Sequence, residues 1–402
     1  MTGKQVIEIG RKRLMPTYAQ FPLVLVKGEG VRVWDPEGRS YLDFVGGIAV
    51  NAVGHCHPRV VAAVKEQAGK LLHCSNLYWF PQPVKLAQEL ASLSGLDRAF
   101  FCNSGAEANE AAIKLVRKYA WNRGQENPEI IAFTNSFHGR TLGALAATGQ
   151  EKFWKGFEPL PGGFHHLPFN GVEALKKAVD SRTAAILVEP VQGEGGIHVA
   201  TPEFMETLAE LREKHGLLLV FDEVQCGLGR TGKMFAFEHY GVRPDVLILA
   251  KALGGGLPIG AVLAREEVAA VFQPGSHGST FGGNPVACEA AFAVLKVLQE
   301  QGLVEKAARI GNYFKKRLEE LQQRFGLIKE VRGLGLMLGM ELDRPGKELV
   351  TLCQQRGLLV NCTAEKVIRF LPPLVVTERE VDEAVAILED ALEEFASEQP
   401  GT

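Results

Sequence analysis

Leu217-Leu218-Leu219-Val220-Phe221 runs into Asp222-Glu223, and Val246-Leu247-Ile248-Leu249-Ala250 runs into Lys251. Each run is short, apolar on both faces and closed by charge, as a strand buried in a parallel sheet should be. Ala99–Asn103, Ile130–Asn135 and Ala184–Glu189 follow the same pattern. Ahead of Leu217, Thr201-Pro202-Glu203 reads as an N-cap followed by proline at the first helical position. The helix it opens, Phe204–Lys214, stops at His215-Gly216, a C-cap signal. Strand, helix and strand in alternation predict an α/β fold built on an open parallel sheet with helices on both faces. Such sheets bind ligands at the carboxyl ends of their strands, which singles out Asp222, Glu223 and Lys251.

Beyond about residue 285 the pattern changes. Long helical stretches, Ala287–Glu300 and Leu303–Phe325, lead into a Gly-rich strand Val331–Leu342. A further helix, a strand pair and an acidic helix over Glu378–Ala396 complete a smaller α/β unit. The expected division is 1–50 as an N-terminal segment packing with the small domain, 51–285 as the large domain and 286–402 as the small one. Strands are expected at Leu23–Val26, Val31–Trp34 and Ser40–Asp43 in the first of these.

A chain of 402 residues is long enough for two or three domains at ~150 residues each. Its 46% hydrophobic and 23% charged residues exclude a disordered chain and a collagen-like repeat. Lys+Arg total 44 against 47 Asp+Glu, so no basic excess exists to neutralise a nucleic acid. The longest apolar runs fall far short of the ~20 residues that a bilayer span requires. The first twenty residues carry charge with no apolar core behind it, so no signal peptide is read and a cytoplasmic location is expected. Seven cysteines with no CxxC pair argue for free thiols rather than a disulfide framework. The triplet His55-Cys56-His57 has no second Cys/His cluster at finger-like spacing, so no metal is expected.

A lysine at a strand end has two readings, a solvated helix start or a desolvated amine fit for a Schiff base. Residue type alone leaves both open for Lys251. Ser104-Gly105-Ala106-Glu107 follows the Ala99–Asn103 run and opens a helix, with Ser104 and Glu107 spaced as a capping box. The same helix start offers free backbone N–H groups to a phosphate. Gly227-Leu228-Gly229-Arg230-Thr231-Gly232-Lys233 fits a nucleotide-binding loop in its glycines and lysine. Met234, however, stands where a Ser or Thr would ligate magnesium, and no convincing helix follows. A nucleotide-dependent enzyme using Gly227–Lys233 is the alternative from a different class.

The motifs Ser104-Gly105-Ala106, Phe137-His138-Gly139-Arg140, Glu189-Pro190, Asp222-Glu223-Val224-Gln225, Lys251 and Gly278-Ser279-Thr280-Phe281-Gly282-Gly283-Asn284-Pro285 occur in one order along nearly the whole chain. Together they resemble the class III, pyridoxal-phosphate-dependent ω-aminotransferases. The resemblance implies a type I pyridoxal-phosphate transferase fold and a homodimer with active sites at the subunit interface. It implies that Lys251 forms a Schiff base with the cofactor and then shuttles a proton, while Asp222 pairs with the pyridinium nitrogen. Val224 and Phe137 are expected on the two ring faces and Gln225 at the phenolic oxygen. Ser104, Gly105, Ala106 and Glu223 are expected around the cofactor, with Thr280 reaching its phosphate from the other subunit. Arg140 and Arg369 would bind substrate carboxylates, Glu194 would neutralise Arg369, and Ser279 would touch substrate. No role is assigned to His138.

Pro16-Thr17-Tyr18, Gly28-Glu29-Gly30, Gly54-His55-Cys56-His57-Pro58 and Ile368–Leu374 are similar to family members that act on N2-acetylornithine. The implied reaction passes the donor's terminal amine to 2-oxoglutarate, giving glutamate. Succinylornithine, succinyldiaminopimelate, ornithine and 4-aminobutyrate are the alternative donors.

Overall fold

The structure, a computed structural model, describes residues 1–397. Seven strands form the large sheet: β1 (Arg98–Cys102), β2 (Glu129–Phe133), β3 (Phe164–Leu167), β4 (Thr183–Val188), β5 (Leu218–Asp222), β6 (Val246–Leu249) and β7 (Gly260–Ala264). Their spatial order is β1-β7-β6-β5-β4-β2-β3. All run parallel except β7, which pairs antiparallel with both β6 and β1. All five residues of β5 are buried, as are all four of β6. At about 1.5–3 kcal/mol for each fully buried Val, Leu, Ile or Phe, these central strands contribute heavily to the core.

The helix starts are set by local capping, which the sequence signalled at Thr201 and Ser104. Thr201 caps the helix Pro202–His215 by accepting from the Phe204 N–H, and Gly216 ends it in the left-handed region at φ 65°. Asn284 accepts from the Val286 and Ala287 N–H groups, with Pro285 at the first turn of the helix Pro285–Glu300. Ser104 caps Gly105–Asn122, but the capping box differs from expectation. The Glu107 carboxylate reaches back one residue further, accepting from the Asn103 N–H at 2.8 Å.

Four departures concern strands. Strands β3 and β7 have no counterpart in the sequence reading. The stretch Val331–Leu342 is not one strand but an antiparallel hairpin, Ile328–Leu334 with Met337–Leu342. Its turn contains Gly335 at φ +54°, where an added Cβ would lie 2.4 Å from the Thr231 carbonyl carbon. Near the N-terminus the first strand is Lys27–Glu29 rather than Leu23–Val26, because the turn at Gly30 sets Glu29 opposite Arg32. The expectation for this segment also omitted the helix Gly3–Arg13.

Arg32–Trp34 and Ser40–Asp43 extend the Lys27–Glu29 sheet, and Leu358–Leu359 joins Ser40–Asp43 in parallel. The hairpin continues through Val367–Phe370 to Asn361–Thr363. In the His55-Cys56-His57 triplet, His55 pairs with Asp43 at 2.7 Å and His57 caps the helix Pro58–Ala68, so the two rings serve separate partners. Among the described residues, no helix is long and apolar enough to cross a membrane, and no His/Cys/Asp/Glu group is arranged to hold a metal ion.

Candidate active site

At the carboxyl ends of β1, β5 and β6 the chain encloses a cavity of about 480 Å³. Asp222, the last residue of β5, is 3% exposed. One carboxylate oxygen accepts from Asn109 Nδ2 at 2.9 Å and lies 2.8 Å from His138 Nδ1. The other accepts the Val224 N–H at 3.0 Å. This ring of partners fixes the carboxylate while leaving it on the cavity wall.

Lys251 enters from the end of β6 with φ +43°, a conformation that L-residues avoid. Such strain is concentrated at functional sites and costs about 1–3 kcal/mol. Lys251 lines the cavity and is partly buried. Burial holds its pKa below the ordinary lysine value; Glu194 opposes that shift and Arg369 reinforces it.

The start of the helix Gly105–Asn122 forms another part of the wall. The first N–H groups of a helix have no partner within it, so Gly105 and Ala106 present free donors to the cavity. A Cβ on Gly105 would lie 3.1 Å from Val224, so glycine keeps this entrance clear. Phe137 and Arg140 line the same cavity, and the Arg140 guanidinium lies 3.8 Å from the Phe153 ring centre.

Beside the cavity the fully buried Arg369 donates to Glu194 at 2.6 Å and to Gln225 Oε1 at 3.1 Å. Burial alone would raise the Glu194 carboxyl, but the charge and hydrogen bond of Arg369 outweigh it and hold its pKa low. Gly193 makes room for this arrangement, since a Cβ there would sit 2.3 Å from Gln225.

Eleven of the expected residues therefore converge here: Ser104, Gly105, Ala106, Phe137, Arg140, Asp222, Val224, Gln225 and Lys251 on the cavity wall, with Glu194 and Arg369 joined to Gln225. Three do not. Glu223 turns away from the cavity, its carboxylate accepting the Ala236 and Phe237 N–H groups at 2.6 and 2.8 Å. It is buried behind the site, and burial pushes its pKa up to about 8. Ser279 and Thr280 lie outside the cavity. Ser279 Oγ accepts from Asn103 Nδ2 and the Gly282 N–H, while Thr280 is exposed.

The sequence reading assigned no role to Asn109, His138 or Glu189. Asn109 and His138 hold Asp222. Glu189 accepts N–H groups from Phe137 and from Gly193, bracing two cavity loops at once. Its position at the end of β4, matching that of Asp222 on β5, was the available signal.

An amine, a fixed carboxylate and a helix start around one cavity suit an aldehyde-bearing, phosphorylated pyridine ring. The donor set fits the group: N–H donors for phosphate, Asp222 for a ring nitrogen and Lys251 for the aldehyde. The chain belongs to the class-III aminotransferase family, whose description, "Aminotransferase class-III", matches residues 14–392. It is 54% identical to an acetylornithine aminotransferase of Caldanaerobacter subterraneus subsp. tengcongensis, covering 97% of this chain and 100% of that one. It is 53% identical to an acetylornithine aminotransferase of Methanocaldococcus jannaschii, over 98% of this chain and 100% of the relative. It also superposes with a TM-score of 0.96 on an ornithine aminotransferase of Toxoplasma gondii described with PLP at its active site. That match has 37% identity and covers 99% and 95% of the two chains. The fold is the α/β type I fold of pyridoxal-phosphate transferases, and pyridoxal 5'-phosphate is the cofactor.

Proposed function

We propose that the enzyme is a transaminase of class 2.6.1 acting in arginine biosynthesis. It transfers the terminal amine of N2-acetyl-L-ornithine to 2-oxoglutarate, giving N-acetyl-L-glutamate 5-semialdehyde and L-glutamate. Pyridoxal 5'-phosphate, when bound, supplies an aldehyde for the amine and a ring that accepts the electron pair released at the substrate carbon. Lys251 holds the cofactor and carries the proton at its amine. Asp222 keeps the ring nitrogen protonated. Gly105 and Ala106 donate to the phosphate, with Ser104 capping the helix that presents them. Phe137 and Val224 enclose the ring, and Gln225 donates to its oxygen.

The observation that carries the substrate reading is the Glu194–Arg369 pair. Acetylornithine has no carboxylate on its reacting carbon, whereas glutamate has one. With the first donor Arg369 stays paired to Glu194; with glutamate or 2-oxoglutarate Glu194 yields and Arg369 takes the carboxylate. Arg140 holds the distal carboxylate in both half-reactions.

Glu194→Ala is expected to speed the glutamate half-reaction and slow the acetylornithine one. Breaking a buried pair costs ~3–5 kcal/mol. Glu194 keeps 28% of its side chain exposed, so the expectation is reduced. About tenfold in the ratio of the two single-turnover efficiencies is expected, equivalent to roughly 1.4 kcal/mol. Equal slowing of both half-reactions would reduce Glu194 to a structural support.

The same reading makes the enzyme a cytoplasmic homodimer, with residues 51–285 as the large domain and the termini forming the smaller one. Trp79 is 92% exposed and Phe281 59%, and Asn76 ties their two loops by donating to the Ser279 and Gly282 carbonyls. An apolar surface beside Thr280 supports docking of a second copy whose cofactor phosphate Thr280 reaches. Mixing Lys251→Ala with Thr280→Ala subunits is expected to restore some activity. Each scrambled dimer then has one site with both defects and one with neither. No recovery after verified exchange would place Thr280 in its own subunit's site.

A further inference from the structure

We infer that Arg230 is a positioning residue for Arg369, clasping the open end of the strand pair that carries it and holding that pair against the loop after Asp222. The inference rests on the reading of Arg369 as the fork for the substrate carboxylate. Arg230 belongs to Gly227–Lys233, the stretch with the look of a phosphate loop, yet its side chain points inward and is 1% exposed. It has no acidic partner within salt-bridge distance among the described residues, and burial alone pulls its pKa down to about 9. A buried cation without a counter-ion carries a desolvation cost that methionine or leucine would not incur.

Its contacts define what it does. Nη1 donates to the Leu336 carbonyl at 2.9 Å and also to the Pro372 carbonyl. The Leu336 N–H returns a bond to the Arg230 carbonyl at 3.0 Å. Met337–Leu342 pairs antiparallel with Val367–Phe370, setting Gly339 opposite Arg369 and Leu338 opposite Phe370. Continued past Phe370, that register sets Leu336 opposite Pro372. Proline has no N–H, so the ladder cannot extend through it. One guanidinium nitrogen joins the two carbonyls instead.

The joint has little room for movement. A Cβ on Gly335 would lie 2.7 Å from the Arg230 carbonyl oxygen, and one on Gly232 would lie 2.7 Å from the Ala308 Cβ. The strand pair bearing Arg369 thus meets the loop following β5 at backbone contact, with Arg230 as the side chain that bridges them. Nη2 has no partner, so the clasp rests on Nη1.

Arg230→Lys, Arg230→Met and Arg369→Ala holoenzymes test the inference. Glutarate, a dicarboxylate with no reactive group, is titrated against each by calorimetry. Single-turnover rates are measured with glutamate and with acetylornithine. Lysine is shorter and lacks the planar fork, so Arg230→Lys is expected to weaken glutarate binding and slow the glutamate half-reaction, each by about tenfold. The acetylornithine half-reaction should stay within about twofold, because it does not call on Arg369. Arg230→Met should do the same more severely; if it fails to fold, the lysine variant carries the test. Equal loss of both half-reactions, or unchanged glutarate affinity in Arg230→Lys, overturns the positioning role. If Arg369→Ala itself leaves glutarate binding unchanged, the reading of Arg369 fails, and the inference falls with it.

Discussion

Lys251→Ala is expected to abolish turnover while leaving a folded protein. Lys251 lines the cavity and is only partly buried, so alanine there removes little packing, and burial disfavours the charged form of its amine. On the proposed roles, losing it removes two functions at once, the covalent hold on the cofactor and the group that moves the proton. Positioned proton transfer alone contributes roughly 10²–10⁴-fold, so the combined loss is expected to exceed about 10⁴-fold. Stability should hardly fall, since a buried amine leaves the fold and the φ of +43° stays in place. Phosphate and ring contacts can still retain the cofactor, so colour is a poor readout. Rapid-quench turnover is the measurement for the variant. In the parent enzyme, borohydride reduction followed by peptide mapping is expected to put the pyridoxyl label on Lys251. A label on another lysine, or turnover within about a hundredfold of the parent, contradicts the assignment.

Asp222→Asn should keep the fold and lose activity by at least about a hundredfold, the scale set by removing one preorganised electrostatic partner from a reacting centre. The carboxylate stands among three partners, the Val224 N–H, Asn109 Nδ2 and His138 Nδ1. An amide can accept from Val224 as before. Its NH₂ end, however, meets the donors that face the second oxygen, and it carries no charge to hold a ring proton. Both losses fall on the chemical step, so kcat should drop for both amine donors alike. This separates Asp222 from Glu194, whose loss is expected to split the two donors. Near-normal kcat with either donor would refute the role of Asp222 as partner of the ring nitrogen.

The sequence alone determined the parts whose causes are local. Strands β5 and β6 were legible because a strand covered on both faces must be apolar throughout. Their polar terminal residues marked where Asp222 and Lys251 would emerge. The helix starts at Ser104 and Thr201 followed from capping chemistry confined to one turn. Cofactor class and the candidate residues came from motifs in a recognisable order. The tertiary structure decided what depends on groups far apart in the chain. Strand β7 runs antiparallel between β1 and β6, a choice of pairing that composition does not express. The Val331–Leu342 stretch folds back at Gly335 because Arg230 and Thr231 lie against it. Glu223 and Asp222 are adjacent, yet alternation along the chain sends one to the cavity and the other to the Ala236 and Phe237 N–H groups. Asn109 and His138 gain meaning only once the fold brings them to Asp222, and Arg230 only once two carbonyls from opposite strands arrive beside it. A buried polar group must find its partner wherever the chain delivers one, and that delivery is set by register and packing rather than by neighbouring residues.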